Sequence, residues 1–455
     1  MRRGDALGPL MNATPPAGSP PHHAYGLVTL TALVVTGMIG SGVFTTSGFA
    51  LDSLGSPQGV LAAWAVAGVI AGCGAAAFGA LAVRMPESGG EYLYLSRAVH
   101  PFAGFLAGIV SLTAGFSGSV ALAALACERY VGPLTVLPEW LPPHAIAAAV
   151  VLVCGLGHAT ASRLAVKANT LIVLVKLTAI FTLIGIGYAA LASQTAADIE
   201  QAAAAVSTVS IGSFASTVMW ISFSYAGFNQ AVYVASEARN PARTVPKALL
   251  TGTAITTVVY LLLNDVFLRS ADAETLSGRP EVAALAAAAL GGDRFEWWMR
   301  LAIGVSTFSA VAGMMMAGPR VTASMAGDGV FPRVFSGPNG ISRAAVLQTV
   351  LALFLVYQAS ILELLNYLGV TLSLFSAFAV TTLWLPRAGR ADGASRMPPL
   401  VSAAAVVYVA ATLLFIVLMT RHDPRHMYGT LATVAVGVAA WPLVGRRRGV
   451  SRETG

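Results

Sequence analysis

Three glycines stand close together in an apolar stretch and can interrupt a membrane-spanning helix there. Gly37, Gly40 and Gly42 lie in the run 26–50, which contains no charged residue. Backbone N–H and C=O groups without partners are not tolerated in lipid, so an interrupted helix must line a cavity. Free N–H groups that begin one half-helix attract an anion, and free carbonyls that end another attract a cation. The sequence therefore predicts a binding site for a small charged molecule.

A second interruption is predicted around Gly227, in the middle of the apolar run 210–235. A single glycine often serves only close helix packing. Two interrupted helices in matching halves of inverted topology, however, are typical of secondary transporters. An amino acid is a zwitterion, so it offers both the anion and the cation that such a site attracts. Since neither interrupted segment contains Asp or Glu, a substrate with a neutral side chain is expected. The residues expected to meet its side chain are Phe44, Phe223, Tyr225 and Phe228.

Lys176 is a charged residue inside the apolar run 168–193, nine residues beyond Lys167. At about 1.5 Å per helical residue it lies about 13 Å deep, near the middle of a hydrocarbon core about 30 Å thick. An amine at this depth must face protein or trapped water. Two interpretations stay open: Lys176 carries a proton during transport, or it is a permanently charged brace bonded to helix carbonyls.

The elements that position these residues follow from composition. Hydrophobic residues make up 56% of the chain and charged residues only 10%, whereas roughly a quarter of a soluble protein is charged. Apolar runs of about 20 residues can cross a hydrocarbon core. They occur at 26–50, 57–83, 101–126, 142–161, 168–193, 210–235, 247–268, 297–319, 344–359, 361–385, 399–420 and 427–445. The sequence thus predicts an all-α polytopic membrane protein with twelve transmembrane helices.

The distribution of positive charge predicts the orientation. If the chain starts in the cytoplasm, most Lys and Arg residues fall in inner loops, as the positive-inside rule requires. We expect residues 1–25 and 446–455 to be cytoplasmic tails of a protein in the inner (plasma) membrane. The net charge of +7 then reflects topology and contact with lipid head groups, and no nucleic acid is expected as a partner. No cofactor and no metal site are predicted.

Four stretches resemble motifs of the amino-acid/polyamine/organocation (APC) superfamily of permeases. They are GMIGSGVF at 37–44, PESGGEYLY at 86–94, SYAGF at 224–228 continuing into 237–248, and the segment 318–332. The resemblance implies a LeuT-type fold in which 26–193 and 210–385 form 5+5 inverted repeats with helices 1 and 6 broken. Residues 399–445 would add two helices. It also implies secondary transport of amino acids by alternating access.

The resemblance further implies roles for individual residues. Those that would contact the substrate carboxylate or amine are Ile39, Ser41, Gly42, Phe223, Ser224 and Ala226. Tyr225 and Phe228 would shape or gate the side-chain pocket. Lys176 would replace the sodium ion of sodium-dependent relatives, which disfavours sodium coupling here. Its amine would face the first break near Gly37 and the hydroxyls of Ser306 and Ser309.

Glu237 follows the sixth apolar run and is expected to pair with Arg84 or Arg320 as a cytoplasmic latch, unless it is only a solvated loop end. The expected function is secondary active transport of neutral, apolar or small L-amino acids, driven by proton symport. Sodium-independent exchange is the alternative, and a non-transporting membrane enzyme or sensor is a third. Amino acid, proton and membrane lipid are the expected partners, and the sequence does not predict an oligomeric state. The outer loop 272–296 is expected to hold a short helix at 281–290.

Overall fold

The computed structural model describes residues 25–87, 89–135, 138–157, 163–192, 209–385 and 397–445, and the regular elements within these ranges are all helical. The α-helices are α1 Leu27–Met38, α2 Gly42–Leu54, α3 Pro57–Arg84, α4 Glu91–Ala98, α5 Pro101–Val110, α6 Ser119–Val131, α7 Ala145–Leu156, α8 Arg163–Leu191, α9 Ile211–Ser224, α10 Pro241–Ser270, α11 Ala273–Leu276, α12 Val282–Gly327, α13 Gly340–Gln358, α14 Ile361–Thr381, α15 Pro399–His422 and α16 Tyr428–Gly445.

Helices of other types connect or extend the α-helices. A π-helix, Ser111–Gly118, joins α5 to α6 without a break in the chain direction. A 3₁₀-helix of twelve residues, Ala226–Glu237, follows α9 and is called here the long 3₁₀ segment. Shorter 3₁₀ turns occur at Gly132–Leu134, Arg333–Phe335, Thr382–Trp384 and Pro424–Met427.

Eight of the described helices are long and apolar enough to cross a membrane, or nine if α1 and α2 count as one bent span. The protein is therefore a multi-pass helical membrane protein, as the composition predicted. Three of the predicted runs contain helices that are not among these candidate spans. They are α7 in the run 142–161, α9 with the long 3₁₀ segment in 210–235, and α16 in 427–445. The count of twelve transmembrane helices stays a prediction.

Both interruptions occur at the residues where the sequence predicted them. The axes of α1 and α2 differ by 44°, and the backbone leaves helical geometry at Ile39, where ψ is 86°. The second interruption follows Ser224, the last residue of α9, and the chain continues as the long 3₁₀ segment.

The two interruptions are packed directly against each other. A methyl group on Gly227 would lie 2.5 Å from the carbonyl carbon of Gly37, and one on Gly42 would lie 2.4 Å from Ser224 Oγ. The atoms around Gly227 are backbone and cannot rotate away, so glycine is required there, whereas at Gly42 the nearest atom is a hydroxyl that can turn aside. The helix α10 packs against α1, α3 and the long 3₁₀ segment, and holds the two interrupted helices together.

The outer loop is seated on α2. Helix α12 begins within this loop at Val282, close to the predicted position, and is kinked at Gly292, where φ is 68°. The amide of Gly278 donates to the carbonyl of Gly48 at 2.9 Å. A methyl group on Gly48 would lie only 1.9 Å from the carbonyl oxygen of Arg279, so this close contact also depends on a glycine.

Candidate functional site

Three carbonyls at the interruptions accept hydrogen bonds from two side chains. Tyr260 on α10 donates its hydroxyl towards Met38 O at 2.6 Å and Ser224 O at 3.0 Å. Lys176 on α8 donates from Nζ to Ile39 O. Peptide oxygens that have lost their helical N–H donors are thus partnered by one hydroxyl and one amine.

Tyr260 cannot satisfy both of its acceptors at once. A tyrosine hydroxyl carries a single proton and donates one hydrogen bond, yet Met38 O and Ser224 O both lie within hydrogen-bond distance. Whichever carbonyl is not served retains a free acceptor in a buried place. Since Tyr260 is fully buried, water does not compete freely there. The junction therefore has unused capacity to accept a hydrogen bond from a ligand's ammonium group.

Groups that suit an anion lie on the other side of the first interruption. The helix α2 begins at Gly42, and the side chain of the preceding Ser41 does not cap it. The first N–H groups of a helix have no intrahelical acceptor and attract negative charge. At Gly40 there is open space, because a methyl group there would find only Met38 O, at 3.9 Å. The buried hydroxyl of Ser224 has no hydrogen-bond partner among the described residues.

Lys176 is buried in the bundle, with 8% of its surface exposed. Its contact is one residue beyond α1, at Ile39, rather than at Gly37 itself. Ser306 is also buried, on α12, which packs against α8. The roles predicted for Gly37, Ser306 and Ser309 in coupling stay predictions.

The aromatic residues of the second interruption are held by other rings. Tyr225 packs on Trp64 and Tyr260, with ring centroids 5.9 and 5.1 Å away, and its hydroxyl donates to Trp64 O at 3.2 Å. Phe228 packs edge-on against Phe78 at 5.5 Å. These contacts fix the backbone that carries the Ser224 carbonyl. The predicted contacts of Phe223 and Ala226 with substrate stay predictions.

A crevice lies between α3, α9, α14 and α15, and Tyr225 and Phe228 line it together with Met219, Tyr408 and Phe415. No residue from 39 to 42 lines it. Because the carbonyls that the two interruptions free lie at their junction and not in this crevice, we place the candidate site at the junction.

The three residues of the predicted latch are not brought together in this structure. Glu237 is exposed. Arg84 donates to the carbonyl of Leu383, and Arg320 donates to Met316 O, one turn back on its own helix, at 3.0 Å. The latch between Glu237 and either arginine stays a prediction, for a conformation other than this one.

The connection between α3 and α5 carries polar contacts that the sequence analysis did not assign. Tyr92 donates to Asp328 Oδ2 at 3.1 Å. Burial and the nearby Asp328 carboxylate raise the pKa of Tyr92 to about 12. Its neighbour Glu91 accepts hydrogen bonds from two other elements. The only signal for them in the sequence was the resemblance of the segment 86–94 to a family motif.

Metal-ligating residues are not grouped in the part of the chain that the structure describes. No three His, Cys, Asp or Glu side chains come together there in a way that could hold a metal ion. The cysteines at 73, 127 and 154 are free thiols. The site thus consists of peptide groups, hydroxyls, one amine and aromatic rings.

A multi-pass helical bundle in which two interrupted helices present their peptide groups to each other is typical of membrane transport proteins. The chain matches the model of the amino acid permease family over residues 25–441 and belongs to that family. This confirms the resemblance drawn from the motifs. The protein is a transporter and not an enzyme.

Curated relatives agree with the family. The chain is similar to the rat large neutral amino acids transporter small subunit 2, with 28% identity over 78% of this chain and 68% of the relative. It is 26% identical to the mouse Asc-type amino acid transporter 1, over 68% of this chain and 59% of that protein. It is 27% identical to the human b(0,+)-type amino acid transporter 1, over 81% and 76%.

Proposed function

We propose that this protein is a secondary active transporter of neutral, apolar or small L-amino acids that works by alternating access. The observation that carries the proposal is the junction of the two interrupted helices, where carbonyls of Met38, Ile39 and Ser224 lie beside the uncapped start of α2. An ammonium group is recognised by carbonyls and a carboxylate by helix-start N–H groups. One small zwitterion satisfies both.

The surroundings of the junction favour a neutral side chain. Neither interrupted segment contains Asp or Glu, and the nearest large side chains are aromatic rings that pack on one another. A charged substrate side chain would lose its hydration without a partner, which is costly. One similar protein is named as a transporter of large neutral amino acids, which supports the same substrate class.

The proposal includes the arrangement of the chain in the membrane. Residues 26–193 and 210–385 form inverted repeats of the LeuT type, residues 399–445 add two helices, and both termini are cytoplasmic in the inner (plasma) membrane. Alternating access then consists of movements at the two interruptions, since each interrupted helix has one half packed towards each side. The outer half of the first, α2, is already bonded to the outer loop through Gly48.

Proton symport is the proposed coupling, with Lys176 as the carrier. The amine is bonded to Ile39 O, and a charged donor holds a carbonyl about twice as strongly as a neutral one. Loss of the proton would therefore loosen the end of α1. This links the protonation of one side chain to the position of the first interruption.

Sodium-independent exchange is the second candidate, and the same contact favours it. If the Lys176 amine stays charged, it braces Ile39 permanently and no proton crosses. The carrier would then return across the membrane only with another amino acid bound. Accumulation against a gradient driven by a pH difference alone would exclude this candidate.

A thermal-shift screen of the purified protein against the twenty amino acids at two pH values tests the substrate. A bound ligand at 100 times its Kd stabilises the folded state by about 2.7 kcal/mol. We expect neutral L-amino acids to raise the unfolding temperature and arginine to leave it unchanged. A response to arginine alone would contradict the neutral substrate, and the absence of uptake of any labelled amino acid by proteoliposomes would contradict transport.

A further inference from the structure

Glu91, the first residue of α4, accepts hydrogen bonds from two elements far away in the sequence. Asn229 Nδ2 donates to Oε1 at 2.6 Å, and the hydroxyl of Tyr233 donates to Oε2 at 2.6 Å. Ser376 Oγ on α14 also donates to Oε1, at 3.1 Å. Asn229 and Tyr233 both belong to the long 3₁₀ segment. The carboxylate therefore ties that segment to α4 and α14.

The charge on Glu91 is held by neutral donors alone. In the described ranges it forms no ion pair with Lys, Arg or His. Hydrogen bonds to an ionised acceptor are about twice as strong as those between neutral groups. Glu87, four residues earlier, differs in every respect: it is half exposed and pairs with Arg97 at the surface. Glu91 is therefore held by three neutral donors, and not by a surface ion pair like that of Glu87.

The backbone before Glu91 is shaped for this contact. Gly90 has a φ of 66°, a conformation that favours glycine. A methyl group at Gly90 would lie 2.5 Å from the ring of Tyr233. The loop thus approaches the long 3₁₀ segment closely enough for the carboxylate to reach both of its donors. Burial of Asn229, 5% exposed, keeps water from replacing them.

We propose that Glu91 is a positioning residue that holds the long 3₁₀ segment closed against α4 and α14. In this structure Glu237 pairs with neither Arg84 nor Arg320. Among the described residues, Glu91 accepts the side-chain hydrogen bonds that join the long 3₁₀ segment to α4 and α14. The path on this side opens when the segment leaves the carboxylate. The inference rests on the proposed function for alternating access and for the assignment of this side to the cytoplasm.

Hydrogen–deuterium exchange of the full-length protein in lipid nanodiscs tests the proposal without relying on transport. Glu91→Gln keeps one acceptor oxygen but replaces the other by an NH2 group, so either Asn229 or Tyr233 loses its acceptor. We expect amides of residues 226–237 to exchange about 10-fold faster, because charged hydrogen bonds of this kind hold the segment. Tyr233→Phe removes one donor, keeps the ring against Gly90, and should give a smaller increase. Glu87→Gln is the matched control and should change nothing there.

Substrate affinity from the two sides gives a readout that mere loss of stability would not produce. In proteoliposomes of one orientation, Glu91→Gln should lower the KM for substrate on the inner side and raise it on the outer side, each several-fold, since the inward-open population increases. Glu91→Asp should restore part of the difference.

The outcomes separate the two proposals. Unchanged exchange of residues 226–237 in Glu91→Gln, or KM values that shift in the same direction on both sides, would overturn the role of Glu91. Faster exchange in a protein that takes up no amino acid would support the contact and contradict the proposed function instead.

Discussion

A single hydroxyl links the two interrupted helices, and this makes Tyr260 the most informative residue for mutation. It stands within hydrogen-bond distance of Met38 O and Ser224 O, which are separated in sequence by most of the first half of the chain. One proton for two carbonyls leaves one acceptor, which in the proposed site would bind the substrate's ammonium. The same hydroxyl holds the end of α1 close to the end of α9.

We predict that Tyr260→Phe folds but transports poorly. The change leaves the carbonyl that Tyr260 serves without its donor, at a cost of about 1–3 kcal/mol. Borne by the arrangement that binds substrate, this cost corresponds to a decrease of about 5- to 160-fold in substrate affinity. Initial uptake rates and substrate binding to the purified protein measure it. Tyr188→Phe is the control, because that hydroxyl bonds Asp265 instead. Wild-type affinity in Tyr260→Phe would remove Tyr260 from the site.

We predict that Lys176→Ala abolishes pH-dependent uptake in proteoliposomes, because Ile39 O loses its amine donor. Exchange of amino acids at equal pH on both sides should survive in part, since the peptide groups that hold the zwitterion remain. Uptake with and without a pH difference measures the effect. Undiminished accumulation driven by protons in this variant would exclude the proton-carrier role.

At the scale of elements, the contact between the two interruptions depends on glycine at 227. We predict that Gly227→Ala destabilises the protein by about 1–3 kcal/mol, as overpacking does, since the added methyl would meet backbone atoms of Gly37 that cannot rotate away. Gly185→Ala is the matched control: its methyl meets nothing within 4 Å, and alanine favours a helix by about 1 kcal/mol. Unfolding temperatures should move in opposite directions, and equal shifts would contradict the packing described.

We predict that Gly48→Ala dislodges the outer loop from α2. The added methyl would lie 1.9 Å from Arg279 O and 2.9 Å from Leu276 O, so the loop must move outwards. Hydrogen–deuterium exchange of residues 276–287 should become faster, about 10-fold or more. Gly72→Ala, where a methyl finds open space, serves as control. An unchanged exchange rate would mean that the loop is not held by this contact.

The interruptions and Lys176 were predictable from sequence, and Tyr260 was not. Glycines in a charge-free apolar run are a local signal, and so is a lysine in the middle of another run. The partner of Tyr260 lies 222 residues away, and nothing in one apolar run marks that tyrosine among others. Arg84 is a residue whose partner the sequence did not indicate. Its charge suggested an ion pair with Glu237, whereas in this structure it donates a hydrogen bond to the carbonyl of Leu383.

For the whole molecule, the distribution of charge predicts which loops face the cytoplasm. We predict that a membrane-impermeant maleimide added to intact cells labels Glu139→Cys and not Arg333→Cys, both of which are exposed positions. The positive-inside rule places the first outside and the second inside. The native cysteines are buried or half-buried, so unsubstituted protein gives the background. Labelling of Arg333→Cys alone would reverse the orientation and, with it, the side closed by Glu91.

The π-helix between α5 and α6 contains more residues per turn than an α-helix, because its hydrogen bonds join residues five apart. In an α-helix each residue advances the helix by about 100° about its axis. Conversion of Ser111–Gly118 to α-helix would therefore swivel α6 on its own axis. Tyr130 at the far end of α6 donates to the Phe44 carbonyl in the first turns of α2, so such a rotation of α6 would displace the start of α2.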